Sequence, residues 1–154
     1  MENIINMKVY MPNDKGFEKI CDYLEENVCK ENLSWNGGTL NYENLTYDSD
    51  ILFVAYDKKV PIGYTSLIIT EMGIYVYQIA IKKEYQQRGI GSSMMQMTLD
   101  FADSNNMDVS AHVRDYNSNS LKMFTRLGFK KISEKDGNYF LLLEQTKKDK
   151  NVSK

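Results

Sequence analysis

The chain has 154 residues, of which 42% are apolar and 26% charged, and its net charge is −2. That length supports one domain with a core of its own, expected over residues 1–146 and followed by a charged tail at 147–154. The charge excludes the broad basic field that nucleic-acid binding demands, so no nucleic-acid partner is expected.

In chain order, residues 3–10 read as a first strand, and Pro12-Asn13-Asp14 as a turn and helix start. Phe17, Ile20, Cys21, Leu24 and Val28 recur at helical spacing, which predicts a helix to about Lys30. Cys21 and Cys29 share that pattern about 12 Å apart, too far for a disulfide. Residues 31–50 are irregular around Gly37-Gly38, with a loop and a short helix expected. Ile51–Tyr56 and Val60–Thr70 form a hairpin around Asp57-Lys58-Lys59. After a Met72-Gly73 turn, 74–81 is the next strand. Residues 89–104 form a helix with Ile90, Met94, Met97 and Phe101 on one face, ended by Asn105-Asn106. Met107–Arg114 is a strand. Asn117 or Asn119 caps a further helix that Gly128 ends, and 129–134 with 138–144 close as a hairpin around Asp136-Gly137. The hairpins require antiparallel pairs and the 89–104 crossover allows a parallel one. An α/β (α+β) domain with a mixed sheet follows. The absence of a signal peptide, and of an apolar run near roughly 18 residues, predicts a cytoplasmic protein without a membrane partner. His112 is the only histidine, which serves metal ligation poorly, and no metal is expected.

The stretch 78–92 carries the chemistry. An apolar strand, Gln78-Ile79-Ala80-Ile81, runs through Gln86-Gln87-Arg88-Gly89-Ile90-Gly91-Ser92 into a helix. Backbone N–H groups and the positive end of the helix dipole converge there, which suits a pyrophosphate. A Walker loop is excluded by the missing Lys-Ser/Thr, and a dinucleotide loop by the missing third glycine. Gly89 and Gly91 have a plainer reading, as relief of crowding where a helix meets a sheet.

Gln86-x-x-Gly89-x-Gly91 resembles the Gln/Arg-x-x-Gly-x-Gly/Ala loop of the GCN5-related N-acetyltransferase (GNAT) family. Asn117-x-x-Ser120-Leu121-x-Met123-Phe124-x-x-x-Gly128-Phe129 resembles that family's later Asn-x-x-Ala-x-x-x-Tyr-x-x-x-Gly-Phe element. Ile79-Ala80-Ile81-x-x-x-Tyr85 is similar to its strand lead-in. The departures are Ser120 for Ala and Phe124 for Tyr.

The resemblance implies a GNAT-like central sheet of six to seven strands flanked by helices, and acetyl-coenzyme A as cosubstrate. It implies that Gln86, Gln87, Arg88, Gly89, Ile90, Gly91 and Ser92 hold the pyrophosphate, with Arg88 adding charge. Ile79, Ala80 and Ile81 would receive the pantetheine and thioester, the Ile79 amide serving as oxyanion donor, and Asn117 and Phe124 would border the cofactor. His112 falls where ribosomal-protein N-terminal acetyltransferases carry a glutamate base. Alternation on 107–114 sends Ser110, His112 and Arg114 to one face, so His112 is the candidate base. Its plainer reading is a polar residue on a half-exposed strand.

Phe124 cannot protonate the departing thiolate as the family's tyrosine does. A thiol with a pKa of about 8.5 leaves without that help, so a slower enzyme is implied. Tyr77, Tyr116 and Tyr139 are possible substitutes. The other reading of Phe124 is a non-catalytic acyl-coenzyme A-binding module.

The acceptor is expected to be a primary amine, on a cationic small molecule or a peptide terminus. Residues 13–50 hold nine acidic and three basic side chains, which would draw a cationic amine, or else form a solvated acidic face. A homodimer through an edge strand is compatible with the topology.

Overall fold

The computed structural model describes residues 5–29 and 46–145. Among these residues, seven strands and three α-helices follow in the expected order: β1 (Ile5–Tyr10), α1 (Phe17–Leu24), β2 (Ile51–Asp57), β3 (Val60–Thr70), β4 (Gly73–Ile81), α2 (Ile90–Ser104), β5 (Val109–Arg114), α3 (Ser118–Arg126), β6 (Lys130–Lys135) and β7 (Asn138–Leu143). The sheet order is β1-β2-β3-β4-β5-β7-β6. β4 and β5, joined through α2, pair in parallel, whereas the β1–β2, β2–β3, β5–β7 and β6–β7 pairs are antiparallel. The sheet is therefore mixed, at the upper end of the expected strand number. Most of the irregular segment expected at 31–50, and the tail at 147–154, lie outside the described residues. No helix among the described residues is long and apolar enough to cross a membrane.

The chain divides into two compact units. The first comprises residues 1–68 and 77–95. Here Phe17, Ile20, Cys21, Leu24 and Val28, the stripe expected on the first helix, are all buried with Leu52, Val54, Tyr64 and Ala80. Both ends of that helix differ from expectation. Asp14 caps no helix: its carboxylate accepts the Met11 N–H at 2.8 Å while its own N–H donates to the Met11 carbonyl at 2.9 Å. The chain needs Gly16, at φ 87°, before the helix begins at Phe17. At the other end the α-helix widens into a π-helical turn over Glu25–Cys29, which buries both Val28 and Cys29. The Glu25 carboxylate accepts the Thr46 N–H at 2.9 Å and the Thr46 hydroxyl at 2.5 Å. A second cluster in this unit gathers Ala55, Ile62, Ile81, Ile90 and Met94.

Both cysteines are free and buried. Burial pushes the Cys21 thiol up to about 11 from 9.0. The folded state thus holds Cys21 protonated where the unfolded chain ionises. Its contribution is complete below about pH 9 and is lost as pH rises through 11. The wild type should lose about 2–3 kcal/mol more stability than Cys21→Ala between pH 8 and pH 11 in denaturant titrations. Parallel losses in the two proteins would contradict this assignment.

The second unit comprises residues 69–76 and 96–154. On β5, Val109, Ala111 and Val113 are buried and His112 is exposed, the alternation expected from sequence. Asn117 caps α3 by accepting the Ser120 N–H at 3.3 Å. The helix closes at Gly128 with bonds from Gly128 N–H to the Thr125 carbonyl and from Phe129 N–H to the Phe124 carbonyl, each 3.0 Å, the paired pattern of a Schellman end. β6 is exposed throughout and carries lysines and a register shift at Ile132, features that discourage edge pairing.

On α2, the residues turned inward are Ile90, Met94, Met95, Thr98, Leu99 and Ala102, while Met97 and Phe101 are only half-buried. The expected stripe at 90, 94, 97 and 101 is corrected accordingly. Thr98 and Ala102 continue the i+4 row, and a reading led by large apolar residues passes over both.

Candidate active site

In the first unit, β4 leads through a short 3₁₀ turn, Lys83–Tyr85, into the Gln86–Gly89 loop and then α2. Gln86 is a brace. Its side-chain amide donates to the Ile81 carbonyl at 2.9 Å, and its backbone N–H to the Lys83 carbonyl at 3.2 Å. Gln87 at φ 61° and Gly89 at φ 82° flank Arg88, which keeps a negative φ. Alternation of hand over successive residues turns their N–H groups toward one side, as in anion-binding nests. A Cβ on Gly89 would meet nothing within 4 Å. Backbone conformation, and not crowding, is what calls for glycine there. Gly89 also accepts the Ser93 N–H at 3.0 Å, so the loop runs directly into the helix N-terminus.

Gln87 and Arg88 are exposed, Gly91 is half-buried and Ser92 is exposed; the Ile90 side chain belongs to the core and only its backbone faces the loop. The Arg88 guanidinium stands 5.1 Å from the centre of the Tyr85 ring. The Tyr85 hydroxyl donates to Asp57 at 2.5 Å, and that bond to a carboxylate holds the phenol above its ordinary pKa.

β4 is irregular where the sequence places its functional backbone. Tyr77, Gln78 and Ile79 are all half-buried, so alternation lapses before Ala80 and Ile81 return to the core. The parallel ladder with β5 consists of Ile74↔Val109, Tyr75↔Ser110 and Val76↔Ala111. The Tyr77 hydroxyl is pushed up by partial burial and by the field of Asp48.

In the second unit, His112 projects from the exposed face of β5. Its Nδ1 is 2.8 Å from the Tyr75 hydroxyl, and its ring lies 5.1 Å from Phe140, the residue opposite it on β7. Tyr75 and Phe140 are absent from the sequence-based candidates. The odd parity Tyr75 shares with Tyr77 and Ile79 was visible, but a register across a helical crossover was not. Asn117 has its side-chain oxygen committed to the α3 cap.

Phe124, in the slot expected to hold the acid, is 2% exposed and packs edge-on against Phe129 at 4.9 Å. Tyr116 is 62% exposed, and Tyr139 is half-buried beneath the Lys131 ammonium, 4.5 Å from its ring centre. Several carboxylates of the acidic 13–50 segment already accept hydrogen bonds: Asp14 from Met11, Asp22 from Tyr47 and Glu25 from Thr46.

Residues 18–129 match the sequence model of the acetyltransferase (GNAT) family. The chain belongs to that family and is an acetyl-coenzyme A-dependent acetyltransferase. Solved structures share its fold. The PaiA N-acetyltransferase from Thermoplasma acidophilum, solved with coenzyme A, superposes with a TM-score of 0.73 at 15% identity, covering 93% of this chain and 99% of its own. Ard1 from Thermoplasma volcanium gives 0.70 at 17% identity over 93% and 99%. Arabidopsis thaliana Naa50, in complex with the bisubstrate analogue CoA-Ac-MVNAL, gives 0.63 at 16% over 88% and 96%. A search of curated protein sequences found no match.

Proposed function

We propose that residues 1–146 form one catalytic domain that acetylates the α-amine of a peptide or protein N-terminus by direct attack on acetyl-coenzyme A. The observation that carries this reading is the imidazole of His112, exposed on β5 and hydrogen-bonded through Nδ1 to Tyr75. An α-ammonium ionises near 8 and a lysine-like ammonium near 10.4, so the first gives up its proton about 3 kcal/mol more readily. An imidazole base therefore matches an α-amine much better. The rings of Tyr75 and Phe140 beside His112 suit an apolar first side chain. The peptide portion of the analogue bound by the Arabidopsis relative points the same way.

In this reading the backbone amides of Gln87–Ser92 hold the pyrophosphate, Arg88 adds charge, and Gln86 acts by bracing the loop to Ile81. The residues fit the group. Gln87 and Gly89, both at positive φ, flank Arg88 beside a helix N-terminus, a conformation that favours anion binding, and Gly89 leaves open space where a side chain would stand. Ile79, Ala80 and Ile81 take the pantetheine and thioester. The Ile79 N–H donates to the carbonyl oxygen as it becomes an oxyanion. Asn117 contacts the cosubstrate through Nδ2, and Phe124 supplies apolar packing.

His112 removes the ammonium proton. The free amine attacks the thioester carbon, the C–S bond breaks, and the sulfur leaves as thiolate, since Phe124 has no proton to give. With His112 accepting at Nε2, Nδ1 carries hydrogen and donates to the Tyr75 oxygen.

Thiol release at pH 7.5 should be at least about 10-fold faster, per kcat/KM, with short peptides bearing a free apolar N-terminus than with N-blocked lysine peptides or polyamines. Polyamines preferred at low salt, with the preference fading as salt rises, would instead favour steering by the acidic segment and a cationic small acceptor.

A further inference from the structure

The side chain of Gln78 is gripped at both ends. Its oxygen accepts from the Tyr64 hydroxyl at 2.5 Å, and its nitrogen donates to Cys29 Sγ at 3.8 Å. Tyr64 and Cys29 are 0% and 1% exposed, and Tyr64 belongs to a core cluster that includes Leu24, Val28, Leu52 and Val54. Polar groups carried this deep are tolerated only when bonded, and a bonded network fixes one geometry where an apolar contact would permit several. Cys29 reaches this position because the chain after α1 is a π turn, a feature frequent at functional sites.

What the network holds is a particular peptide. The N–H of Ile79 belongs to the peptide unit that begins at the Gln78 carbonyl, so its direction follows the backbone at Gln78. This is also where burial along β4 stops alternating, and it lies beyond the last β4–β5 pair, Val76↔Ala111. Side-chain anchoring supplies here what that ladder does not. Resting on the reading of Ile79 as oxyanion donor, we propose that Cys29, Tyr64 and Gln78 are positioning residues that aim the Ile79 N–H at the thioester oxygen.

The test uses the full chain, preloaded with acetyl-coenzyme A and mixed with the best acceptor from the amine panel, and reads single-turnover transfer. Tyr64→Phe removes the donor to Gln78. Gln78→Leu removes the clamp while filling its volume, which guards against loss of fold in the first variant. Cys29→Ala removes the sulfur, and Cys29→Ser restores an acceptor. Tyr64→Phe and Gln78→Leu should each slow transfer about 10- to 30-fold, less than the loss of an oxyanion donor outright, because the N–H remains but is misaimed. Affinity for free coenzyme A, which has no acyl carbonyl, should stay within about 2-fold by calorimetry. Cys29→Ser should transfer faster than Cys29→Ala. Unchanged transfer in both Tyr64→Phe and Gln78→Leu, or a fall matched by equal loss of coenzyme A affinity, overturns the proposal. A wild type that transfers to no amine overturns the parent reading instead.

Discussion

Alanine at position 112 is expected to lower acetyl transfer by about 10²- to 10⁴-fold, the range general base catalysis supplies, and to abolish the acid-side limb of the pH–rate profile. The sign follows from the role. A base works only unprotonated, so the wild-type rate falls toward acid pH, whereas His112→Ala lacks the group that this limb reports. Tyr75→Phe should keep the limb but slow the reaction by roughly 10-fold, because the ring survives while its orientation and tautomer lose their hydrogen-bond partner. The pair of variants separates base from bystander. If His112→Ala retains the limb, another group takes the proton. If Tyr75→Phe matches wild type in rate, the 2.8 Å contact is incidental. Coenzyme A affinity should change in neither, since the proposed cosubstrate groups are the backbone of 79–81 and 87–92 together with Arg88 and Asn117.

The parts of this fold that could be read in advance are those set by local physics. β3 runs from Val60 to Thr70 as its pattern and flanking turns predict, and the cap at Asn117 and the stop at Gly128 follow from residue chemistry a few positions away. The errors arise where a nearby residue takes a competing bond. Asp14 has the makings of a helix cap, but a turn with Met11 uses it first. The first helix holds its apolar stripe, yet its backbone widens over Glu25–Cys29, which no periodicity reveals. The candidate site divides in the same way. The Gln86–Ser92 loop was legible because a glycine-rich strand-to-helix turn is a contiguous motif. The Tyr75–His112 contact was not, because it depends on how two parallel strands separated by a helix slide into register. Nor could spacing tell that the Gln86 side chain bends back to Ile81, or that Phe124 turns into the core against Phe129.

The largest stability effect is expected at Gly73, which the sequence presents only as part of a turn. Its φ is +123°, and a Cβ there would lie 2.4 Å from the carbonyl oxygen of Asp108 and 3.1 Å from two more of that residue's backbone atoms. The approach is built in, because the same carbonyl accepts the Ile74 N–H at 2.8 Å and so opens the parallel β4–β5 ladder at Ile74↔Val109. A methyl group cannot fit without moving Asp108 backbone, and moving it breaks that bond. Gly73→Ala thus combines the backbone strain of an L-residue at this φ, about 1–3 kcal/mol, with a clash that no side-chain rotation relieves. A total of roughly 3–5 kcal/mol is expected, a large share of the stability of a domain this size. Gly89→Ala provides the control: its φ is also positive, at 82°, but its Cβ would meet nothing. It should cost only about 1–2 kcal/mol of stability. Its larger effect should fall on affinity for coenzyme A, through the distorted loop. Urea denaturation of the two variants, with calorimetric binding of coenzyme A, reads both axes. Equal destabilisation by the two alanines would mean that the Asp108 backbone yields easily, and that the ladder does not depend on this close approach.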